Sequence, residues 1–250
     1  MSFEIQKCKL GEILPLRERF LKENNFQIRY NACHERHWSD SYIIRRDGVD
    51  VGYGSVKGKE ELTDRDSIFE FYLQANYRKD STSIFEQLIS LTKPKFLECQ
   101  TNDTFLTSLV FEFSNNIHSD TILFEDHLKT DLKIPDTEFR KRKDKEVTFS
   151  HRFDGEPGDY VLIKNGVVVA TGGFLLHYNI PFADLYMEVN PEFNNQGFGS
   201  YILQEVKKEC YLAGRVPAAR CNIKNKISRS TLIKAGMRVS GFMLIGDLDT

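Results

Sequence analysis

Apolar positions along the chain fall into short runs broken by Gly, Asn and Asp, and the runs recur in the same order twice. Residues 42–54 (Tyr-Ile-Ile-Arg-Arg-Asp-Gly-Val-Asp-Val-Gly-Tyr-Gly) and 160–172 (Tyr-Val-Leu-Ile-Lys-Asn-Gly-Val-Val-Val-Ala-Thr-Gly) each set two β-branched runs around Asp-Gly or Asn-Gly. That pattern predicts a β-hairpin with a two-residue turn. Residues 68–73 and 183–189 read as strands, each followed after a short loop by a helical pattern over 83–89 and 199–210. The runs 96–102 and 219–225 then read as strands that end in an Asn able to open a helix. The landmarks Gly48 and Gly166, Leu73 and Val189, and Asn102 and Asn225 lie 118, 116 and 123 residues apart. Nearly constant offsets predict a duplication of one mixed α/β unit.

Charge sets the expected boundary between the copies. Residues 136–146 hold five basic and four acidic side chains around one Phe, the composition of a solvated linker. The expected organisation is therefore a first domain over 1–135, a linker over 136–146 and a second domain over 147–250. Over the 250 residues, 34 Lys and Arg stand against 36 Asp and Glu, a net charge of −2. Such balance argues against a global grip on nucleic acid or anionic lipid, so neither is expected as a partner. The start, Met1-Ser-Phe-Glu-Ile-Gln-Lys, puts charges where a signal peptide needs an apolar core, and no run approaches the ~20 apolar residues of a membrane span. A cytoplasmic protein is expected. The five cysteines are scattered with no Cys-x-x-Cys pair, which predicts reduced, packed thiols. The segment Cys33-His34-Glu35-Arg36-His37 has no second ligand pair at a zinc-like interval, so no metal is expected.

Chemistry concentrates in Leu185-Tyr-Met-Glu-Val-Asn-Pro-Glu-Phe-Asn-Asn-Gln-Gly-Phe-Gly-Ser200. A strand ends at Val189, Pro191 blocks its extension, and a loop with two glycines opens into an amphipathic helix. Glycines there let main chain approach a ligand, and the first N–H groups of the helix point outward at the positive end of its dipole, which suits a phosphate. The run lacks the third small residue of a dinucleotide fingerprint and the Lys-Ser or Lys-Thr of a P-loop.

This segment resembles the signature of the GCN5-related N-acetyltransferase (GNAT) family, a strand ending in Val and Pro and then Gln/Arg-x-x-Gly-x-Gly/Ala at a helix start. Here the six positions are Asn194, Asn195, Gln196, Gly197, Phe198 and Gly199, with Asn in the first place. A second family element, an Asn with a small residue three on, a Leu/Tyr position seven on and Gly-Phe at eleven and twelve, is matched by Asn225, Ser228, Leu232, Gly236 and Met237. The resemblance implies an α+β fold. Each of two domains would be a mixed, mostly antiparallel β-sheet flanked by helices, with a splayed central strand pair, and the first copy would be degenerate.

The resemblance further implies an acetyl-CoA-dependent N-acetyltransferase acting on a small-molecule or peptide amine by direct attack in a ternary complex. Its alternative is a non-catalytic acyl-CoA-binding or interaction module. Met187 and Val189 would border the pantetheine arm, and Asn194, Asn195, Gln196, Gly197, Phe198, Gly199 and Ser200, with Asn225 and Ser228, would hold the rest of the cofactor. The N–H of Val189 would polarise the acetyl carbonyl. A lysine-like amine is mostly charged near neutrality, so a base is needed, and Glu188 and His177 are the candidates. Leu232 stands where many members carry an acidic tyrosine, which leaves thiolate departure unassisted; a thiol is a fair leaving group without that help. In the first copy Ser81 and Ser83 replace the two glycines beside Asp80, so that copy is not expected to bind CoA in the same way.

Overall fold

The computed structural model describes residues 3–24, 30–144, 146, 148–149 and 158–249, and the chain divides into two compact units. Unit 1 comprises residues 1–120 and 241–250, and unit 2 comprises 121–240. The elements of unit 1 are β1 (Phe3–Cys8), α1 (Leu10–Asn24), α2 (Tyr30–Glu35), β2 (Ser39–Arg46), β3 (Val49–Lys57), β4 (Ser67–Leu73), α3 (Ser81–Thr92), β5 (Phe96–Gln100), α4 (Thr104–Phe113) and the first half of β6 (Asn115–Asp126). Unit 2 takes the second half of β6, then β7 (Thr137–Lys141), β8 (Tyr160–Lys164), β9 (Val167–Leu175), β10 (Phe182–Val189), α5 (Phe198–Leu212), β11 (Val216–Asn222), α6 (Lys226–Lys234) and the start of β12 (Met237–Asp247). The end of β12 returns to unit 1 and pairs antiparallel with β5.

Both predicted hairpins form. Asp47-Gly48 (φ 51° and 78°) joins β2 to β3, and Asn165-Gly166 (φ 50° and 78°) joins β8 to β9. Two successive positive φ values are what a type I′ turn requires, so Gly with Asn or Asp is the fitting pair. The strand pairs whose register is described are antiparallel except at β4/β5 and β10/β11. Each unit is thus a mixed, mostly antiparallel sheet flanked by helices.

The domain boundary differs from the expected one. Thr137–Lys141, in the charged stretch read as a linker, is strand β7 paired with β8, and Phe139 stacks on Tyr160 with ring centroids 5.3 Å apart. An edge strand keeps one row of backbone and alternate side chains in solvent, so charged residues suit it. Residue 147, the expected start of the second domain, lies outside the described residues. The chain enters unit 2 inside β6 and leaves it inside β12, places where continuous β pattern masks the change. The helix of the first copy is opened by Asp103, whose Oδ1 accepts the Leu106 N–H at 3.0 Å, and Asn102 precedes it. Asp103 is therefore the counterpart of Asn225, which caps α6 through the Ser228 N–H at 3.0 Å.

Unit 1 is held by an apolar core between α3, α4 and the sheet, built on Ile68, Phe71, Phe85, Leu88, Leu97 and Leu109. On the other sheet face a buried carboxylate ties four elements together. Glu70 of β4 accepts from Arg17 of α1 (Nη2 2.8 Å, Nε 3.0 Å) and from the Tyr53 hydroxyl of β3 (2.9 Å), and lies 3.1 Å from His34 Nε2 of α2. Burial alone would raise the Glu70 carboxyl, and the facing charges of Arg17 and His34 outweigh it and hold the group well below the usual carboxylate range. Among the described residues Asp103 makes no ion pair, and burial pushes its carboxyl up to about 6.

Two outcomes follow for stability. Glu70→Gln leaves Arg17 buried without its counter-ion and is expected to cost about 3–5 kcal/mol in denaturant unfolding. A folded carboxyl held low stabilises above the range of a free glutamate, so that contribution is lost as pH falls through and below that range. For Asp103 the sign is opposite. The folded group sits above the free value of about 3.9, so its contribution is present below that pH and is lost as pH rises through about 6. Asp103→Asn keeps a cap acceptor and removes the titration. It is expected to exceed the parent by roughly 2–3 kcal/mol at pH 7 and to match it near pH 4, read from urea midpoints.

Candidate active site

The site in unit 2 begins with a divergence of two parallel strands. β10 and β11 pair only at Phe182/Val216, Ala183/Pro217 and Asp184/Ala218. Beyond that point β10 follows β9 to Val189/Ala170, and β11 follows β6 to Asn222/Thr121. Residues 185–189 and 219–222 therefore face each other across an opening. Among the described residues no strand pairs with β10 on that side beyond Asp184.

The turn after β10 is built by local hydrogen bonds. Asn190 Oδ1 accepts the Glu192 N–H at 3.1 Å, and Pro191–Phe193 forms one 3₁₀ turn. Asn195 (φ 62°) and Gly197 (φ 86°) are both left-handed. The first hydrogen bond into α5 runs from Tyr201 N–H to Gly197 C=O at 3.1 Å, and no side chain caps the helix. The amides of Phe198, Gly199 and Ser200 precede that bond, so they are the donors a helix start leaves unused. A Cβ on Gly197 would meet nothing nearer than Lys234 Nζ at 3.6 Å, whereas one on Gly199 would press on Thr231 Cγ2 at 3.0 Å and Met187 Cε at 3.3 Å. Gly197 is thus set by backbone conformation, and Gly199 by the close approach of α5 to α6 and β10.

These parts line one cleft of about 580 Å³. Of the residues expected from sequence, Met187, Glu188, Val189, Asn194, Asn195, Gly197, Phe198, Gly199, Ser200, Asn225 and Ser228 line it. Two do not. Gln196 is exposed outside the lining. His177 sits in the β9–β10 loop with Nε2 3.0 Å from Asp184 Oδ2. Asp184 is five residues from Val189, about 16 Å at the rise of a strand, so His177 is remote from the place where an acyl group would lie. Sequence reasoning missed Thr171, Tyr186, Phe193, Ile227 and Thr231, which also line the cleft. The helical spacing of Asn225, Ser228 and Thr231 was the available signal for the last of these.

Strand alternation sorts the side chains by face. Met187 and its partner Gly172 face α5, where a Cβ on Gly172 would lie 3.4 Å from Ile202 and Val206. Asp184, Tyr186 and Glu188 consequently point to the opposite face, and the Tyr186 side chain lies over Gly173, its hydroxyl 2.5 Å from where a Cβ would be. Burial raises the Tyr186 hydroxyl above its ordinary value. On β11 the buried Cys221 thiol is likewise raised by burial, so it is a packed thiol and not a thiolate nucleophile. Leu232 is buried and offers no proton.

In unit 1 the corresponding parallel pair also stops early, at Ser67/Phe96 and Ile68/Leu97. There Arg78 donates to the Leu73 carbonyl at 3.0 Å, and its guanidinium lies 5.2 Å from the Phe105 ring. Side chains of unit 1 thus occupy the end of β4. Among the described residues no group of three or more His, Cys, Asp or Glu side chains is placed to hold a metal, and no helix is long and apolar enough to cross a membrane.

Two family models match the chain. Residues 9–127 match an acetyltransferase (GNAT) domain, and residues 123–232 match the acetyltransferase (GNAT) family. No curated protein matches. Among solved structures, a GNAT-family acetyltransferase from Colwellia psychrerythraea superposes with a TM-score of 0.77 at 14% identity, covering 98% of this chain and all of that one. A GCN5-related N-acetyltransferase from Sphaerobacter thermophilus gives 0.53 at 12% identity over 83% of this chain and 80% of its own. A tandem GNAT protein from the clavulanic acid biosynthesis pathway gives 0.53 at 7% identity over 84% of this chain and 82% of its own. With a family match on each copy, a shared fold and a strand pair that opens in each unit, the chain is a tandem member of the GNAT acetyltransferase superfamily.

Proposed function

We propose that unit 2 transfers the acetyl group of acetyl-CoA to an amine by direct attack within a ternary complex. The observation that carries this reading is the cleft itself. It joins the side of β10 that has parted from β11 to the amides of the first turn of α5, the pieces that a thioester arm and a diphosphate need. The residues fit the cofactor. Gly197 keeps the turn bare, the amides of Phe198 to Ser200 are donors for phosphate oxygens, and Asn194, Asn195, Asn225 and Ser228 border the same space. Met187 to Val189 would accompany the pantetheine arm as an added strand, and acetyl-CoA supplies the activated acyl group.

The chain's own residues then divide the work. The Val189 N–H lies where β10 has left its parallel neighbour and would donate to the acetyl oxygen as negative charge develops there. α5 and α6 occupy one face of the opening, so the acceptor amine comes from the other, the face that carries Glu188. The Glu188 carboxylate takes the amine proton, directly or through water, and His177 is set aside because its partner is Asp184. With Leu232 in place of a hydroxyl, the thiolate leaves without an acid from that position. The buried Leu232 also gives substance to a second reading, an acyl-CoA-binding module that does not turn over.

Isothermal titration with CoA and thiol release from acetyl-CoA with a primary-amine panel test both readings. The parent protein is expected to bind CoA and to release thiol with at least one amine. Gly197→Asp, which sets a carboxylate where the diphosphate would sit, is expected to weaken CoA binding more than about tenfold with the fold intact by circular dichroism. Glu188→Gln is expected to keep CoA affinity and lower kcat by about 10²-fold or more, with His177→Ala near parent activity. CoA binding without turnover across the panel selects the module, and no CoA binding ends both readings.

A further inference from the structure

The acceptor side of the opening carries a guanidinium that the transfer reaction leaves without a task. Arg220 lies on β11 two residues past Ala218, where pairing with β10 stops. Cys221 beside it is buried and Arg220 is exposed, so Arg220 shares a face with Asn222 and points away from α6. Its Nε is 3.9 Å from Asp184 Oδ2, beyond hydrogen-bond reach, and among the described residues its guanidinium makes no hydrogen bond. The same Asp184 oxygen already has His177 Nε2 at 3.0 Å. One carboxylate therefore faces two bases and holds Arg220 the more loosely.

Asp184, Tyr186 and Glu188 share the matching face of β10. Along the strands, Arg220 stands about 7 Å above the fork and Glu188 about 13 Å. The two side chains stand on the same sheet face on either side of the opening, a cation low on β11 and a carboxylate high on β10. Building on the transferase reading, we propose that the acceptor is a small amino acid, with its amine at Glu188 and its carboxylate on Arg220. A guanidinium offers two parallel N–H donors that match a planar carboxylate. A phosphate, carrying more charge, would meet both Asp184 and Glu188 at closer cost, so the monoanion is the better fit.

The test compares acetyl-CoA-dependent thiol release for the common amino acids, β-alanine and γ-aminobutyrate with release for their carboxamides and decarboxylated amines, with O-phosphoethanolamine included. At least one amino acid is expected to exceed both its carboxamide and its decarboxylated amine by about tenfold or more in kcat/KM. Arg220→Gln is expected to erase most of that preference through KM for the acid. It should leave KM for acetyl-CoA and the rate with the decarboxylated amine unchanged, and Arg220→Lys should restore part of the preference. Release with no preference for acids, preference for O-phosphoethanolamine over every acid, or a preference that survives Arg220→Gln overturns this assignment and leaves the transferase reading standing. Absence of release from every compound overturns both.

Discussion

Strand pairing in unit 2 has one decisive interruption. Two parallel neighbours share three residue pairs and then each turns to its antiparallel partner. Backbone donors and acceptors inside a protein need partners, so a fork of this kind leaves a strip of main chain whose natural complement is another extended chain. The helix that follows β10 begins beside the same strip with its own unused amides. Everything attributed to the site, from the stripe of α6 residues along the cleft to the row of side chains on the far face, is arranged around that fork.

The two copies show what the fork requires. In unit 2 the turn after the strand is bare, with Gly197 left-handed and no cap on α5. In unit 1, Arg78 reaches the Leu73 carbonyl and Phe105 stacks on Phe71. A shared framework thus supports an open cleft in one copy and a side-chain-filled strand end in the other. The buried Arg17–Glu70–His34–Tyr53 cluster adds polar order to unit 1, and such a cluster fixes the relative placement of α1, α2 and the sheet because every group in it needs the others.

Much of this was legible in residue order. Asp47-Gly48 and Asn165-Gly166 announce their hairpins because few other pairs adopt two positive φ values, and Pro191 with Gly197 and Gly199 marks the strand–turn–helix of the cleft. What was not legible depends on long-range pairing. Thr137–Lys141 reads as a linker because an edge strand needs only one apolar contact, here Phe139 on Tyr160. Asn102 and Asp103 are adjacent, and pattern alone does not say which caps. His177 was near the site along the chain and remote in space, since a β10 strand separates its loop from the turn. Thr171 and Tyr186 enter the cleft through sheet register, which no local rule supplies.

The route of the chain between the units has a consequence for synthesis. Unit 2 is a continuous stretch, whereas the strand segment that pairs with β5 in unit 1 belongs to the last ten residues. A ribosome therefore releases all of the later-encoded copy before the earlier one receives its closing strand. The nascent first copy must wait with the β5 edge uncovered, a state in which a chaperone or a neighbouring nascent chain has its best opportunity to bind.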